Sequence, residues 1–187
     1  VAHAHGRRAG RWADDEPAAN RPQRGLQDGQ KALDKGRHCS VASVLSSVAD
    51  HYRFTGHSVE AELVVKLWDL YADSAVADPR KYGGPWGFDS DFPSLQVVSG
   101  WDLIEDDPVL SDEDRLRTTK NMGRWLTEAV IPKCAGAATS TRVPHNHQTF
   151  PGLGALAAGL YFTNHYDTVE GRAWLDIADR MFTRQAG

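Results

Sequence analysis

Two consecutive amphipathic helices are predicted between Ser40 and Tyr71, where the sequence reads SVASVLSSVADHYRFTGHSVEAELVVKLWDLY. Apolar residues recur three and four positions apart on both sides of a break at 55–57, which is typical of helices with one buried face. Ser58 offers an N-cap oxygen to the second helix, and Glu60 places negative charge in its first turn. The stretch therefore predicts a helical hairpin that ends before Asp78-Pro79.

Two further helix pairs follow the first. The second pair starts near Leu95, turns at a Ser111–Asp114 capping box and ends at Ile131-Pro132. The third pair starts near Leu153 and turns near Asp167 and Glu170, which resemble a second capping box. We expect irregular chain at 80–93 and 132–151, because both stretches are rich in glycine, proline or mixed polar residues. The tryptophans of the predicted helices are interpreted as core: Trp68, Trp101, Trp125 and Trp174.

The fold class follows from this layout. No run alternates apolar and polar residues for long enough to predict a sheet, so the chain is predicted to be all-α. Pair after pair of helices favours an α-solenoid or an α/α toroid, although an ordinary helical bundle shows the same periodicity.

The first 38 residues differ from the rest in composition. They hold eight basic and five acidic residues and few large apolar side chains. Such a segment buries too little area to offset its ordering entropy, so residues 1–38 are predicted to be a disordered N-terminal segment. The predicted helical domain covers residues 39–187.

Composition excludes several classes of protein. The 187 residues carry a formal net charge of −4, which gives no general reason to bind nucleic acid. No apolar stretch approaches the roughly 20 residues of a membrane span. Two cysteines, Cys39 and Cys134, exclude a disulfide-dense scaffold but allow a single bridge. The chain starts at Val1 without an apolar signal core, which predicts a processed or truncated product.

The segment TRVPHNHQTFP, residues 141–151, is the candidate functional site. Positions 142–149 of this segment bring two imidazoles, two amides, a hydroxyl and a guanidinium together just before a helix, and two prolines stiffen the segment. In an extended chain His145 and His147 would point in opposite directions, and no carboxylate lies nearby as a third ligand. We therefore expect no metal at this segment.

The His145–Phe150 run, which opens a helix of small residues, resembles the Asn-His segment of the α/α-toroid polysaccharide lyases, the alginate lyase and heparinase II/III groups. The second hairpin, from Trp101 to Arg115, is similar to the way such toroids turn between helices. The resemblance covers about residues 40–187. It implies an incomplete α/α toroid, periplasmic or extracellular location, an acidic polysaccharide as substrate and no cofactor.

The implied reaction is β-elimination at a uronic acid residue. Asn146 would bond the carboxylate and stabilise the enolate-like state, and His147 would remove the α-proton. Substrate-binding roles are expected for the remaining candidates, which are Arg142, His145, Gln148, Trp86 and Phe88. For each of these a structural role as a surface or loop-anchoring residue stays open.

The sequence also departs from the family. The family's catalytic tyrosine lies further along the chain than Tyr161 or Tyr166, which we interpret as packing residues. Three helix pairs would leave a toroid open at an apolar edge, so we expect a fragment or a short form that self-associates.

Two other functions stay open. A glycoside hydrolase on the same architecture would need two facing carboxylic acids, for which Asp89, Asp91 and Asp102 are conceivable. A non-catalytic helical-repeat interaction module would need neither Asn146 nor His147.

Overall fold

The fold is all-helical over the described part of the chain. A computed structural model describes residues 21–35, 38–77, 93–140 and 146–186, and it contains no strand within those ranges. The helices are α1 (Arg21–Asp34), α2 (His38–Thr55), α3 (Ser58–Ala77), α4 (Ser94–Ile104), α5 (Asp112–Trp125), α6 (Ile131–Thr139), α7 (Asn146–Tyr166) and α8 (Val169–Ala186), with a π-helical turn, Leu126–Val130, joining α5 to α6.

The expectation of disorder is wrong for residues 21–34, which form α1. This helix packs on α2 and α3. Ala32 and Leu33 are buried, and Gly29 lies so close to Leu67 that a Cβ at residue 29 would be 2.8 Å from its Cδ2. Small residues thus let a polar helix dock, a tertiary effect that composition does not report. Residues 1–20 and 36–37 lie outside the described residues.

The first helices of the three predicted pairs lie side by side. Helix α4 packs between α2 and α7, whereas α3 packs on α5 and α6 packs on α8. The chain thus forms two layers of helices. One contains α2, α4 and α7, and the other contains α3, α5, α6 and α8. The predicted hairpin over Ser40–Tyr71 is confirmed, with Gly56 in the left-handed region (φ 62°) at its turn.

The core lies between these layers and contains the predicted tryptophans. Trp68, Trp101 and Trp125 are fully buried and Trp174 is nearly so, which confirms the prediction. The rings of Trp68 and Trp125 meet edge to face, with centroids 5.7 Å apart. Leu116 of α5 is 54% exposed, because this helix buries Thr118, Thr119 and Met122 instead.

Glycines set the spacing of α2, α4 and α7. A Cβ at Gly100 of α4 would lie 2.5 Å from the Cβ of Ala49 in α2. A Cβ at Gly154 of α7 would lie 2.1 Å from the Oγ of Ser94 in α4. Both contacts are closer than any side chain allows, so these two glycines fix how near the three helices approach.

The second helix pair does not end at Ile131-Pro132 as predicted. The chain widens into the π-turn, where the amide of Ile131 bonds the carbonyl of Leu126, and then continues as α6. A proline in a helix interior lacks an amide hydrogen and crowds the carbonyl four residues before it. Wider turns of this kind accommodate such an interruption, and Pro132 begins a new α-helical segment.

Two of the predicted helix caps differ in detail. The Ser111–Asp114 capping box is confirmed, with the Asp114 amide 3.1 Å from the Ser111 Oγ. At the start of α8 the cap is Thr168, whose Oγ1 accepts from the Gly171 amide at 3.0 Å, rather than the predicted Asp167 and Glu170. Asp167 has φ 49° and serves the turn instead. Ser58 was predicted to be the N-cap of α3, but it is the first helical residue, and its hydroxyl donates to Asp107 Oδ2.

Candidate functional site

The predicted site lies at the start of α7. Asn146, His147 and Gln148 are its first three residues, so the helix begins earlier than predicted and 146–151 is not irregular chain. Their side chains lie outside the described part, and so do the candidates Arg142, His145, Trp86 and Phe88. Because His147 is in the first helical turn, the argument against a metal from an extended backbone does not apply to it.

The start of α7 favours anions. The first turn of α7 contains no acidic residue, and the free amides of a helix N-terminus carry a partial positive charge. Arg184, near the end of α8, donates to the carbonyl of Ser140 at 2.8 Å, immediately before the 141–145 segment. Gln185 donates to the Oγ1 of Thr149 at 2.7 Å. The end of α8 therefore brings a guanidinium to the candidate site.

Neither Arg184 nor Gln185 was predicted as a site residue, although the register of the α7–α8 hairpin could have placed them beside the start of α7. Helices α7 and α8 pack together as a hairpin whose turn contains Asp167. Residues at equal distances from a hairpin turn face each other. Counting outward from Asp167 brings Thr149 opposite Gln185, and so predicts which part of α8 lies beside the start of α7.

Tyr161 and Tyr166 lie far from this site. They follow Asn146 by 15 and 20 residues in one helix. At 1.5 Å per residue they are about 22 and 30 Å along its axis from Asn146. Neither tyrosine can therefore share a sugar residue with Asn146 and His147.

The two tyrosines instead hold a buried carboxylate. Tyr161 is buried, and its hydroxyl donates to Glu105 Oε2 at 2.6 Å, while the hydroxyl of Tyr166 donates to Glu105 Oε1. Thr119 Oγ1 lies 3.2 Å from the Tyr161 hydroxyl and accepts from Trp101 Nε1 at 3.0 Å. Burial, followed by the bond to Glu105, raises the pKa of both phenols. Tyr161 is therefore the packing residue that the sequence indicates.

A groove runs between α4 and α7. It encloses about 330 Å³, and its apolar lining includes Leu95, Leu153, Leu156 and Leu160. Leu156 and Leu160 are 38% and 47% exposed, because they face this groove.

The other end of the α4–α7 groove is polar. Ser99, Asp102, Asn164 and His165 line it. His165 Nε2 lies 2.8 Å from Asp102 Oδ1, and both side chains are about half exposed. His165 was not predicted to have a functional role, and Asp102 was predicted only as a conceivable acid of a glycoside hydrolase.

The remaining titratable candidates give no second site within the ranges that the structure describes. Asp89 and Asp91 lie outside the described residues, and Asp102 bonds His165. Over the described ranges, no three metal-ligating side chains form a group that could hold an ion.

Cys134 is a buried free thiol, so it does not pair with Cys39, and burial raises the pKa of Cys134 to about 11. Among the helices of the described ranges, none has the length and apolar character needed to cross a bilayer.

Comparisons of the chain with protein families, with characterised proteins and with solved structures give no match.

Proposed function

We propose that this chain is a polysaccharide lyase-like domain that acts on a uronic acid-containing polysaccharide by β-elimination. The observation that carries the proposal is the position of Asn146 and His147 as the first two residues of α7. Both residues lie in the first turn of α7, where the free amides of a helix N-terminus favour a carboxylate ligand.

The difficulty of the reaction lies in its first step. The proton on C5 of a uronate is weakly acidic, because its removal adds negative charge to a group that is already charged. The amide of Asn146 and the amides of the α7 N-terminus would bond the carboxylate oxygens and spread that charge. His147, with a reference pKa of about 6.5, would accept the proton near neutral pH.

The second step breaks the glycosidic bond. As His147 takes the C5 proton, the electron pair forms a C4–C5 double bond and the bond from C4 to the bridging oxygen breaks. The departing oxygen then takes a proton from an acid, which in the resembling family is a tyrosine. Tyr161 and Tyr166 do not fill that role, since both lie at the other end of α7.

The two-layer packing and Arg184 add support. Three helix pairs with their first helices side by side suit an arc of an α/α toroid, which we propose is completed by further hairpins or by self-association. Arg184 would attract an acidic polymer to the start of α7. We also propose a periplasmic or extracellular location, where such polymers occur.

The test is a lyase assay on defined polymers. The chain is incubated with alginate and with heparan-type chains, and the ultraviolet absorbance of the unsaturated sugar is followed. Elimination by this chain should be slow, because Tyr161 and Tyr166 do not supply the acid. Asn146→Ala and His147→Ala should each abolish the product that does form, while His57→Ala, at an exposed position of the α2–α3 turn, should not. Saturated products would identify a hydrolase instead. An interaction module would be favoured if the parent chain shows no turnover and the Asn146→Ala, His147→Ala double variant keeps both its ligand binding and its stability.

A further inference from the structure

The α4–α7 groove lies on the same face of α7 as Asn146. Leu153 and Leu160, which line the groove, follow Asn146 by seven and fourteen residues. A helix drifts only about 20° for each seven residues, so Leu153 and Leu160 form one stripe, and Asn146 lies one heptad before it on the N-terminal side of Pro151. A polymer bound at Asn146 can therefore continue along the groove.

The polar end of the groove has hydrogen-bonding capacity that the protein does not use. Across the described ranges, the side chains of Ser99 and Asn164 make no hydrogen bond to protein. Asp102 uses Oδ1 for His165, and its Oδ2 has no partner within the same ranges. These groups can bind the hydroxyls of a ligand by exchanging water for it.

The leucines match the other side of such a ligand. A pyranose ring has an apolar face of C–H groups and an edge of hydroxyls. Leu156 and Leu160 offer exposed apolar area, and Asn164 follows Leu160 by one helical turn. The groove therefore offers both kinds of contact over one helical turn.

The charge of the groove selects among sugars. Asp102 is the carboxylate at its polar end, and the neighbouring His165 at most balances that charge, so a uronate there would bring a second carboxylate close to Asp102 without meeting a net positive charge. An uncharged sugar meets no such repulsion. We propose that the α4–α7 groove is a subsite for an uncharged sugar residue, so that the substrate combines uronate with uncharged sugars.

This inference rests on the proposed function for the chemical class of the ligand, but its test does not depend on turnover. The full chain is titrated with cellohexaose, with oligomers of alginate and with octanoate, and the NMR signals of the His165 ring and the Asn164 amide are followed. Cellohexaose should shift both signals, and the other two probes should not.

A double variant, Asp102→Ala with Asn164→Ala, should bind cellohexaose roughly tenfold more weakly, because two hydrogen-bonding groups are lost. Both positions are exposed, and Asp179→Ala on the exposed face of α8 is the matched control, with unchanged binding. Unaltered binding by the double variant, equal shifts with alginate oligomers, or shifts with octanoate alone would overturn the subsite. If no polymer is cleaved by elimination but cellohexaose still binds, the proposed function is refuted and the subsite is supported.

Discussion

The hydroxyl of Tyr161 in α7 donates a 2.6 Å hydrogen bond to Glu105, at the end of α4, where both side chains are buried. This bond ties the third helix pair to the turn of the second. Trp101 and Thr119 extend it into a chain of hydrogen bonds through the core. Buried polar groups of this kind stabilise a fold only while every partner is present.

We predict that Tyr161→Phe lowers the free energy of unfolding by about 1–3 kcal/mol, because the buried Glu105 loses a donor. Tyr166→Phe removes a donor to the same carboxylate, but Tyr166 is 44% exposed, so water can replace it and the loss should be smaller. Urea unfolding of the two variants measures the difference. Equal losses would contradict the role assigned to burial.

The close contact of α2 with α4 gives a second prediction. Gly100→Ala should destabilise the fold by about 1–3 kcal/mol, because the new Cβ would lie 2.5 Å from Ala49 and the helices must separate. Gly136→Ala is the matched control, since no atom lies within 4 Å of its Cβ position in α6. That change should stabilise by about 0.5–1 kcal/mol through helix propensity. Thermal unfolding that ranks the two the other way round would refute the contact.

The turn after α4 gives a prediction about pH. Burial alone would raise the pKa of Asp107, but bonds from the Val109 amide, Tyr52 and Ser58, with the charge of Arg115, hold that pKa below its usual value. Asp107 therefore stabilises the fold fully above its unfolded pKa of about 3.9, and this contribution is lost as the pH falls through the lower folded value.

Asp107→Asn should accordingly lower the free energy of unfolding by about 1.5–3 kcal/mol at pH 7. The difference from the parent chain should shrink as the solution is acidified below about pH 4. Urea unfolding of both proteins across this range measures it. A difference that stays constant with pH would contradict the account of Asp107.

The thiol of Cys134 should be inert in the folded protein, because it is fully buried and its pKa is raised to about 11. In a Cys39→Ser variant, an aromatic disulfide reagent should detect no thiol until guanidinium unfolds the chain. Immediate reaction of the native variant would show that Cys134 is accessible.

Local patterns in the sequence predicted much of the fold. The stripe from Val41 to Tyr52, the Ser111–Asp114 box and the four tryptophans each report on their own helix, and the structure confirms them. What failed depends on contacts between helices. Helix α1 is ordered by close approach to α3, and the continuation through Pro132 needs a π-turn that periodicity does not reveal.

The candidate site was predictable only where residues adjoin in sequence. The segment around Asn146 and His147 stands out as a local cluster of polar groups, and in the structure Asn146 is the first residue of α7. Arg184 comes from α8 and is an ordinary helical residue in sequence, so only the packing of α8 against α7 brings it near the segment. Asp102 and His165 meet at the other end of α7, where the packing of α4 against α7 brings them together.

We propose that Asn146 and His147 together remove the C5 proton of a uronate. Exchange of that proton with deuterated water tests it most directly, since exchange needs the base and the carboxylate ligand but not the acid that protonates the departing oxygen. Uronate oligosaccharides are incubated with the chain in deuterated buffer, recovered and analysed by mass spectrometry. They should contain deuterium at C5 or an unsaturated product. Both should disappear in the Asn146→Ala, His147→Ala double variant. The claim is contradicted if neither signal forms with the parent chain, or if the double variant forms them at the same rate.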